Sequence, residues 1–198
     1  MTEHPTLRAL AGLPQQPVGL AESTLIMIDC QNTYTRGVME LDGVQAALDE
    51  AATLLERARI AGIPIIHIQH NDGPGSLYDI EGESGAIVDR VAPREGEPVV
   101  VKSYPNSFVQ TDLDQRLKSI DATHLVLAGF MTHMCVNSTA RGAFNLGYAP
   151  TVVAAATATR PLPALGAEVP AAAMQSASLA AMADLFAVVV PDAATLPD

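Results

Sequence analysis

Six short runs of aliphatic and β-branched residues recur along the chain: Thr24 to Asp29 (TLIMID), Pro64 to Gln69 (PIIHIQ), Pro98 to Lys102 (PVVVK), His124 to Ala128 (HLVLA), Thr151 to Ala155 (TVVAA) and Phe186 to Val190 (FAVVV). Continuous apolar character over so few residues is the pattern of a strand buried on both faces. Between the first two runs, Gly43 to Ala61 carries Val44, Ala47, Leu48, Ala51, Leu54, Leu55 and Ala58. That stripe has the i, i+3, i+4, i+7 spacing of an amphipathic helix, and Gly62 supplies its stop signal. Weaker helical patterns span Thr111 to Ser119, Thr132 to Leu146 and Val169 to Leu185. Strand followed by helix, repeated, predicts an α/β domain: a parallel sheet with right-handed crossovers and helices on both faces.

Two segments interrupt the alternation. Asn71 to Gly85 is rich in glycine, includes Pro74 and has little periodicity; long connections of this kind in compact domains are often functional lids. Residues 1–20, with Pro5, Pro14 and Pro17, read as an extended arm, leaving 21–198 as one domain. The Ala-rich tract from Ala154 to Ala173 reads as a loop running into a helix of small residues.

Composition narrows the function classes. With 22 acidic against 11 basic residues the formal charge is −11, which repels phosphate backbones and anionic lipid, so neither nucleic acid nor membrane is an expected partner. No apolar stretch reaches the roughly 20 residues that cross a bilayer. The start, Met1-Thr2-Glu3-His4-Pro5, lacks the basic and apolar regions of a secretory signal, and the expected location is cytoplasmic. Two cysteines, Cys30 and Cys135, are too few for a disulfide framework and read as free thiols.

Ligands of open parallel sheets collect beyond the carboxyl ends of the strands. Asp29 ends the first run, Lys102 ends the third, and Cys135 lies in Gly129-Phe130-Met131-Thr132-His133-Met134-Cys135 after the fourth. An acid, a base and a soft nucleophile therefore share one edge. Each has a structural reading taken alone: a carboxylate caps or turns, a lysine snorkels to water, a cysteine fills a core. Together they suit nucleophilic catalysis. A free thiol with a pKa of about 8.5 is only roughly 3% thiolate at pH 7. A helix amino terminus and the Lys102 ammonium are expected to lower that pKa by about two units, with Asp29 exchanging the thiol proton.

These residues carry a resemblance. Ile28-Asp29-Cys30-Gln31-Asn32, Lys102-Ser103-Tyr104-Pro105-Asn106-Ser107-Phe108 and Gly129 through Cys135-Val136, in that order, resemble the isochorismatase-like cysteine hydrolases, the superfamily that includes nicotinamidases and carbamoylsarcosine amidohydrolase. The resemblance runs from Thr24 to Val190. It implies a three-layer α-β-α Rossmann-like fold with a six-stranded parallel sheet in the order 3-2-1-4-5-6. It also implies a triad of Asp29, Lys102 and Cys135, a non-proline cis peptide at Phe130–Met131, and an oxyanion hole from the amide N–H groups of Met131 and Cys135. The activity implied is hydrolysis of a C–N amide bond of a small molecule through a Cys135 thioester. Members commonly oligomerise, so a homo-oligomer, dimer or tetramer, is expected. Gln31, Tyr34, His70, Asn106, Phe108 and His133 are candidates to line the substrate pocket.

Departures from relatives bear on the chemistry. Isochorismatases that cleave a vinyl ether typically lack the cysteine, so Cys135 points to attack on a carbonyl. Nicotinamidases hold a metal with an Asp-x-His pair and a further histidine; no histidine occurs from Gln31 to Asp42. His67 and His70 stand three apart at a strand end and should face opposite ways, so no metal or other cofactor is expected. A geometric difficulty attends the triad: if Lys102 ends an edge strand, it stands two strand spacings, roughly 10 Å, from Asp29.

Rival readings remain. Cys135-Val-Asn-Ser-Thr-Ala-Arg141 has the C-x5-R spacing of cysteine phosphatases but no glycine to shape a phosphate cradle. A dinucleotide-binding oxidoreductase would show G-x-G-x-x-G after the first strand, and none is there. A catalytically silent small-molecule-binding protein on the same scaffold is the non-enzymatic alternative.

Overall fold

A computed structural model describes residues 4–198; the first three residues of the expected arm lie outside them. The long helix forms where the stripe places it. α2, Val44–Ala61, buries the seven apolar positions named above and ends at Gly62, whose φ of 67° lets its N–H reach back to the Ala58 and Arg59 carbonyls. It follows β1 (Ser23–Ile28), the sheet's most buried strand, and precedes β2 (Ile65–His70) and β3 (Val99–Lys102). The chain continues through α3 (Leu113–Ser119), β4 (His124–Phe130), α4 (Asn137–Asn145), β5 (Ala149–Ala158), a hairpin of β6 (Leu162–Ala164) and β7 (Ala167–Val169), α5 (Ala171–Ala183) and β8 (Val188–Val190).

Six strands make one parallel sheet in the order β3-β2-β1-β4-β5-β8. This is the expected order with the hairpin strands counted between the fifth and sixth. Period-2 alternation splits the core into two layers. Leu25, Met27, Val126, Ala128 and Phe130 face the α2 side, while Ile26, Ile28, Leu125 and Leu127 face the side covered by α3, α4 and α5. Both faces of β1 and β4 are thereby dry, and their carboxyl ends are held rigidly together.

Three expectations are corrected. The tract from Ala154 is not a loop: β5 runs to Ala158 and the β6–β7 hairpin follows, because Val152, Val153, Ala156 and Ala158 all find buried positions. The segment Thr132 to Leu146 is not one uniform helix; a wide five-residue turn, Thr132–Val136, precedes α4. Within the stretch expected to be an extended arm, Leu7–Leu10 forms the one-turn helix α1, and Arg8 is buried, donating to the carbonyls of Pro14 at 2.6 Å and Leu185 at 3.0 Å. No helix among the described residues is long and apolar enough to cross a membrane.

Candidate active site

The carboxyl ends of β1, β3 and β4 bring Asp29, Lys102 and Cys135 together. Asp29 follows β1 with φ 48°, a left-handed conformation that Asp tolerates better than most residues, and its N–H is tied to the Ile68 carbonyl at 3.0 Å. Gly129, opposite Ile28 in the β1–β4 register, has φ 117°, and a Cβ there would lie 1.9 Å from the Ile28 carbonyl oxygen. Glycine is thus what lets β4 close against β1 just before the cysteine turn. The Phe130–Met131 peptide is cis.

The two-strand gap is bridged by the lysine stem. Lys102 pairs with His70 in the β2–β3 register, and its side chain passes over the end of β2. Its Nζ lies 2.7 Å from Asp29 Oδ2, 3.1 Å from His70 Nδ1 and 3.4 Å from Cys135 Sγ. The contacts to His70 and Cys135 are hydrogen bonds, and the contact to Asp29 is an ion pair. His70 must then present an unprotonated Nδ1 and donate from Nε2 to Asp72, 2.9 Å away. Asp29, Lys102 and Cys135 are 0%, 2% and 5% exposed, so these charges face one another with almost no water.

The Asp29–Lys102 contact is short but poorly aligned. Neither Asp29 oxygen has a hydrogen-bond donor of proper geometry, and a buried carboxylate left so is destabilised. Burial therefore raises the Asp29 pKa against the opposing pull of Lys102. The expected depression of the Cys135 pKa is overturned. Burial, then the Asp29 carboxylate, push the thiol well up, and Lys102 only partly offsets them. The physical reason is that one ammonium faces two buried acids and can balance only one negative charge.

The remaining candidates divide into those near this cluster and those elsewhere. Tyr34 is 1% exposed and meets the rings of Phe130 and Tyr78 edge-on, both at 5.9 Å. Burial raises its phenol pKa, with Asp29 and Cys135 contributing. Tyr78, from the Asn71 to Gly85 segment, also lies edge-on to His70 at 4.8 Å; sequence reasoning missed it because that segment has no periodicity to assign a buried face. Gln31 is fully buried but engaged with backbone: its Nε2 donates to the carbonyls of His70 and Gly85, and its Oε1 accepts from the His70 N–H. It braces the strand end. Asn106 lies against Gly142 of α4 and Phe108 stacks on Tyr148; neither hydrogen-bonds to Asp29, Lys102 or Cys135. His133 Nδ1 is 2.5 Å from Thr159 Oγ1, and its pKa is lowered by burial and by the nearby Arg160. His67 turns away from His70 to Glu97, 3.1 Å distant, and no cluster of three potential metal ligands occurs among the described residues. A cavity of about 660 Å³ lies beyond β5 between the starts of α2 and α5, lined by Ala46, Ala154 and Gln175, and it excludes all three central residues. Chemistry and charge, rather than open volume, locate the site.

Comparison with known proteins agrees with this architecture. A family model described as an isochorismatase domain matches residues 23–194. The secreted isochorismatase effector Isc1 of Verticillium dahliae is 33% identical over 186 residues, covering 93% of this chain and 96% of that protein. Streptothricin hydrolase of Streptomyces noursei is 32% identical over 176 residues, covering 87% of this chain and 63% of that protein. The crystal structure of an isochorismatase from Pseudomonas putida superposes with a TM-score of 0.95 at 38% identity, over 98% of this chain and 100% of that one. The chain therefore belongs to the isochorismatase-like hydrolase superfamily.

Proposed function

We propose that this protein hydrolyses a carbon–nitrogen bond of a small amide through a thioester on Cys135. The observation that carries the reading is the Lys102 ammonium, within 2.7 Å of the Asp29 carboxylate and 3.4 Å of Cys135 Sγ in a centre sealed from water. The resting state is a neutral thiol beside a carboxylate–ammonium pair. As Sγ attacks the carbonyl carbon, its proton passes to Asp29, and negative charge moves to sulfur and then to the substrate oxygen. Lys102 stays protonated throughout, so the buried centre remains net neutral at every stage. Burial, which raises the pKa of both acids, favours a route that leaves no charge unbalanced.

The tetrahedral oxyanion is held by the amide N–H groups of Met131 and Cys135. The neighbouring amides of Met134 and Val136 are committed to the Met131 carbonyl, at 3.0 and 3.2 Å. Protonated Asp29 then delivers its proton to the departing nitrogen, and the C–N bond breaks. In the second half Asp29 takes a proton from water, which attacks the thioester and frees the acid product. His70, fixed by Asp72, holds the ammonium between its two acids. The relative named streptothricin hydrolase supports hydrolysis as the reaction class.

The test is ammonia or amine release from a panel of small amides, with intact-protein mass spectrometry during turnover. Wild type should carry an acyl adduct on the peptide containing Cys135, and Cys135→Ala should neither turn over nor acylate. Retained activity in Cys135→Ala, or turnover by wild type without any acyl adduct, would overturn the thioester route.

A further inference from the structure

A smaller cavity lies at the sheet edge opposite the catalytic one. Its volume is about 250 Å³, and it is enclosed between the amino ends of β4, β5 and β8 and the segment 8–18. The seven residues of β4, at about 3.3 Å of rise each, set it roughly 20 Å from the edge that carries Cys135. Its walls are mostly apolar, with Leu13, Phe144 and Val188 among them, and two side chains bring basic nitrogen, Arg8 and His124. Among the described residues that line it there is no aspartate or glutamate, in a chain that has 22 of them.

Arg8 is the group that gives the cavity a chemical preference. It is 6% exposed, and its Nε and Nη1 donate to the carbonyls of Pro14 and Leu185. Nη2 has no acceptor among the described residues. The carboxylate that touches this segment, Asp184, accepts instead from the Leu7 N–H at 2.9 Å. Burial lowers the Arg8 pKa with no opposing acid. Two carbonyl dipoles solvate a guanidinium only in part, and a buried cation is stabilised most by an anion. Size sets the rest of the preference. A dry cavity of about 150 Å³ admits a benzene molecule, so this larger one has room for a ring or short alkyl chain together with a carboxyl group.

We propose that this cavity binds a small monocarboxylate, its carboxylate on Arg8 and its apolar body against Leu13, Phe144 and Val188. The planar fork of a guanidinium matches a carboxylate in shape, and the two single charges cancel. A phosphate dianion would carry excess charge into apolar walls. Because Arg8 already fastens Pro14 to the residue that follows α5, a ligand held there also pins the segment 8–18 to the sheet. The site is separate from the thioester chemistry and stands whether or not that reading does.

The test is calorimetric titration of benzoate into the full-length protein at pH 7, with benzyl alcohol as the neutral near-isostere. Benzoate should bind with one-to-one stoichiometry, and benzyl alcohol at least about tenfold more weakly, the scale of hydrogen bonds to a charged group. Arg8→Gln should weaken benzoate by a similar factor, and Arg8→Lys by less. Since Arg8 also ties down its own segment, Ala149→Phe supplies a second variant: it keeps Arg8, fills the cavity from β5 and should abolish benzoate binding while the protein still melts cooperatively. Crystals soaked in 4-bromobenzoate should place the bromine anomalous signal in this cavity. Benzoate binding unchanged in Ala149→Phe, equal affinity for benzyl alcohol, or a bromine signal beside Cys135 alone would each overturn the proposal. So would the absence of binding by both benzoate and hexanoate, a result that needs no variant.

Discussion

Asp29→Asn should make Cys135 more reactive toward a simple alkylating agent while abolishing amide turnover. At rest the Asp29 carboxylate occupies the Lys102 ammonium at 2.7 Å and raises the thiol pKa. With the carboxylate gone, Lys102 balances only the thiolate, 3.4 Å from Nζ. At an effective dielectric constant of about 20, a charge pair at that separation is worth about 5 kcal/mol, equivalent to between three and four pKa units. Desolvation of the thiolate opposes this and is unchanged by the substitution. A net fall of at least about one unit, hence about tenfold faster alkylation by iodoacetamide at pH 7, is expected. Turnover should fall by about 100-fold or more, because general acid–base transfer typically contributes that much and Asn can neither take nor return a proton. The assay is the pH dependence of iodoacetamide alkylation alongside ammonia release. An alkylation midpoint that stays put or moves upward in Asp29→Asn would refute the claim that the two acids compete for one cation.

Two further outcomes follow from the buried charges. Lys102→Met strands the Asp29 carboxylate and should cost about 3–5 kcal/mol, or roughly 6–20 °C in Tm for a chain of this length, while Asp29→Asn/Lys102→Met should recover most of it. In the single variant the Asp29 pKa rises further above its unfolded value, so stability should improve as pH falls; thermal melts from pH 8 to 5 check the sign. On the other side of β2, Glu97 joins Arg59 of α2 to His67, and these partners, Arg59 foremost, hold its carboxyl down to about 2. Its side chain is only 11% exposed, so the depression from 4.5 corresponds to stabilisation of order 3 kcal/mol. That stabilisation is present above about pH 4.5 and is lost as pH falls toward 2. Denaturant titrations should show Glu97→Gln lacking this acid-dependent loss, and parallel curves for the two proteins from pH 5 to 2 would contradict it.

Much of the scaffold was legible in the sequence because burial leaves a periodic trace. Val44, Ala47, Leu48 and Ala51 can lie on one face only if the segment is helical, and Gly62 stops it because an αL residue closes the last turn. TLIMID and HLVLA lack polar alternation because both faces of β1 and β4 are covered. The strand-end rule put Asp29, Lys102 and Cys135 on one sheet edge, and the structure gathers them there. It missed Thr159, which meets His133, since the fifth run was ended at Ala155 while alanines that give no periodic signal carried β5 on to Ala158. Tyr78 was missed because its contacts with Tyr34 and His70 are made across a segment with no regular backbone.

The six parallel strands, their order along the chain, the long helix between the first two and the shared edge of Asp29, Lys102 and Cys135 were thus determined by the sequence itself, because those properties depend on local periodicity and chain direction. Only the tertiary structure decided how Lys102 crosses β2, that its ammonium is shared by Asp29, His70 and Cys135, and therefore that the thiol pKa rises rather than falls. The sign of that shift is a balance between desolvation and one shared charge. Both depend on distances between residues remote in sequence, which no local pattern encodes.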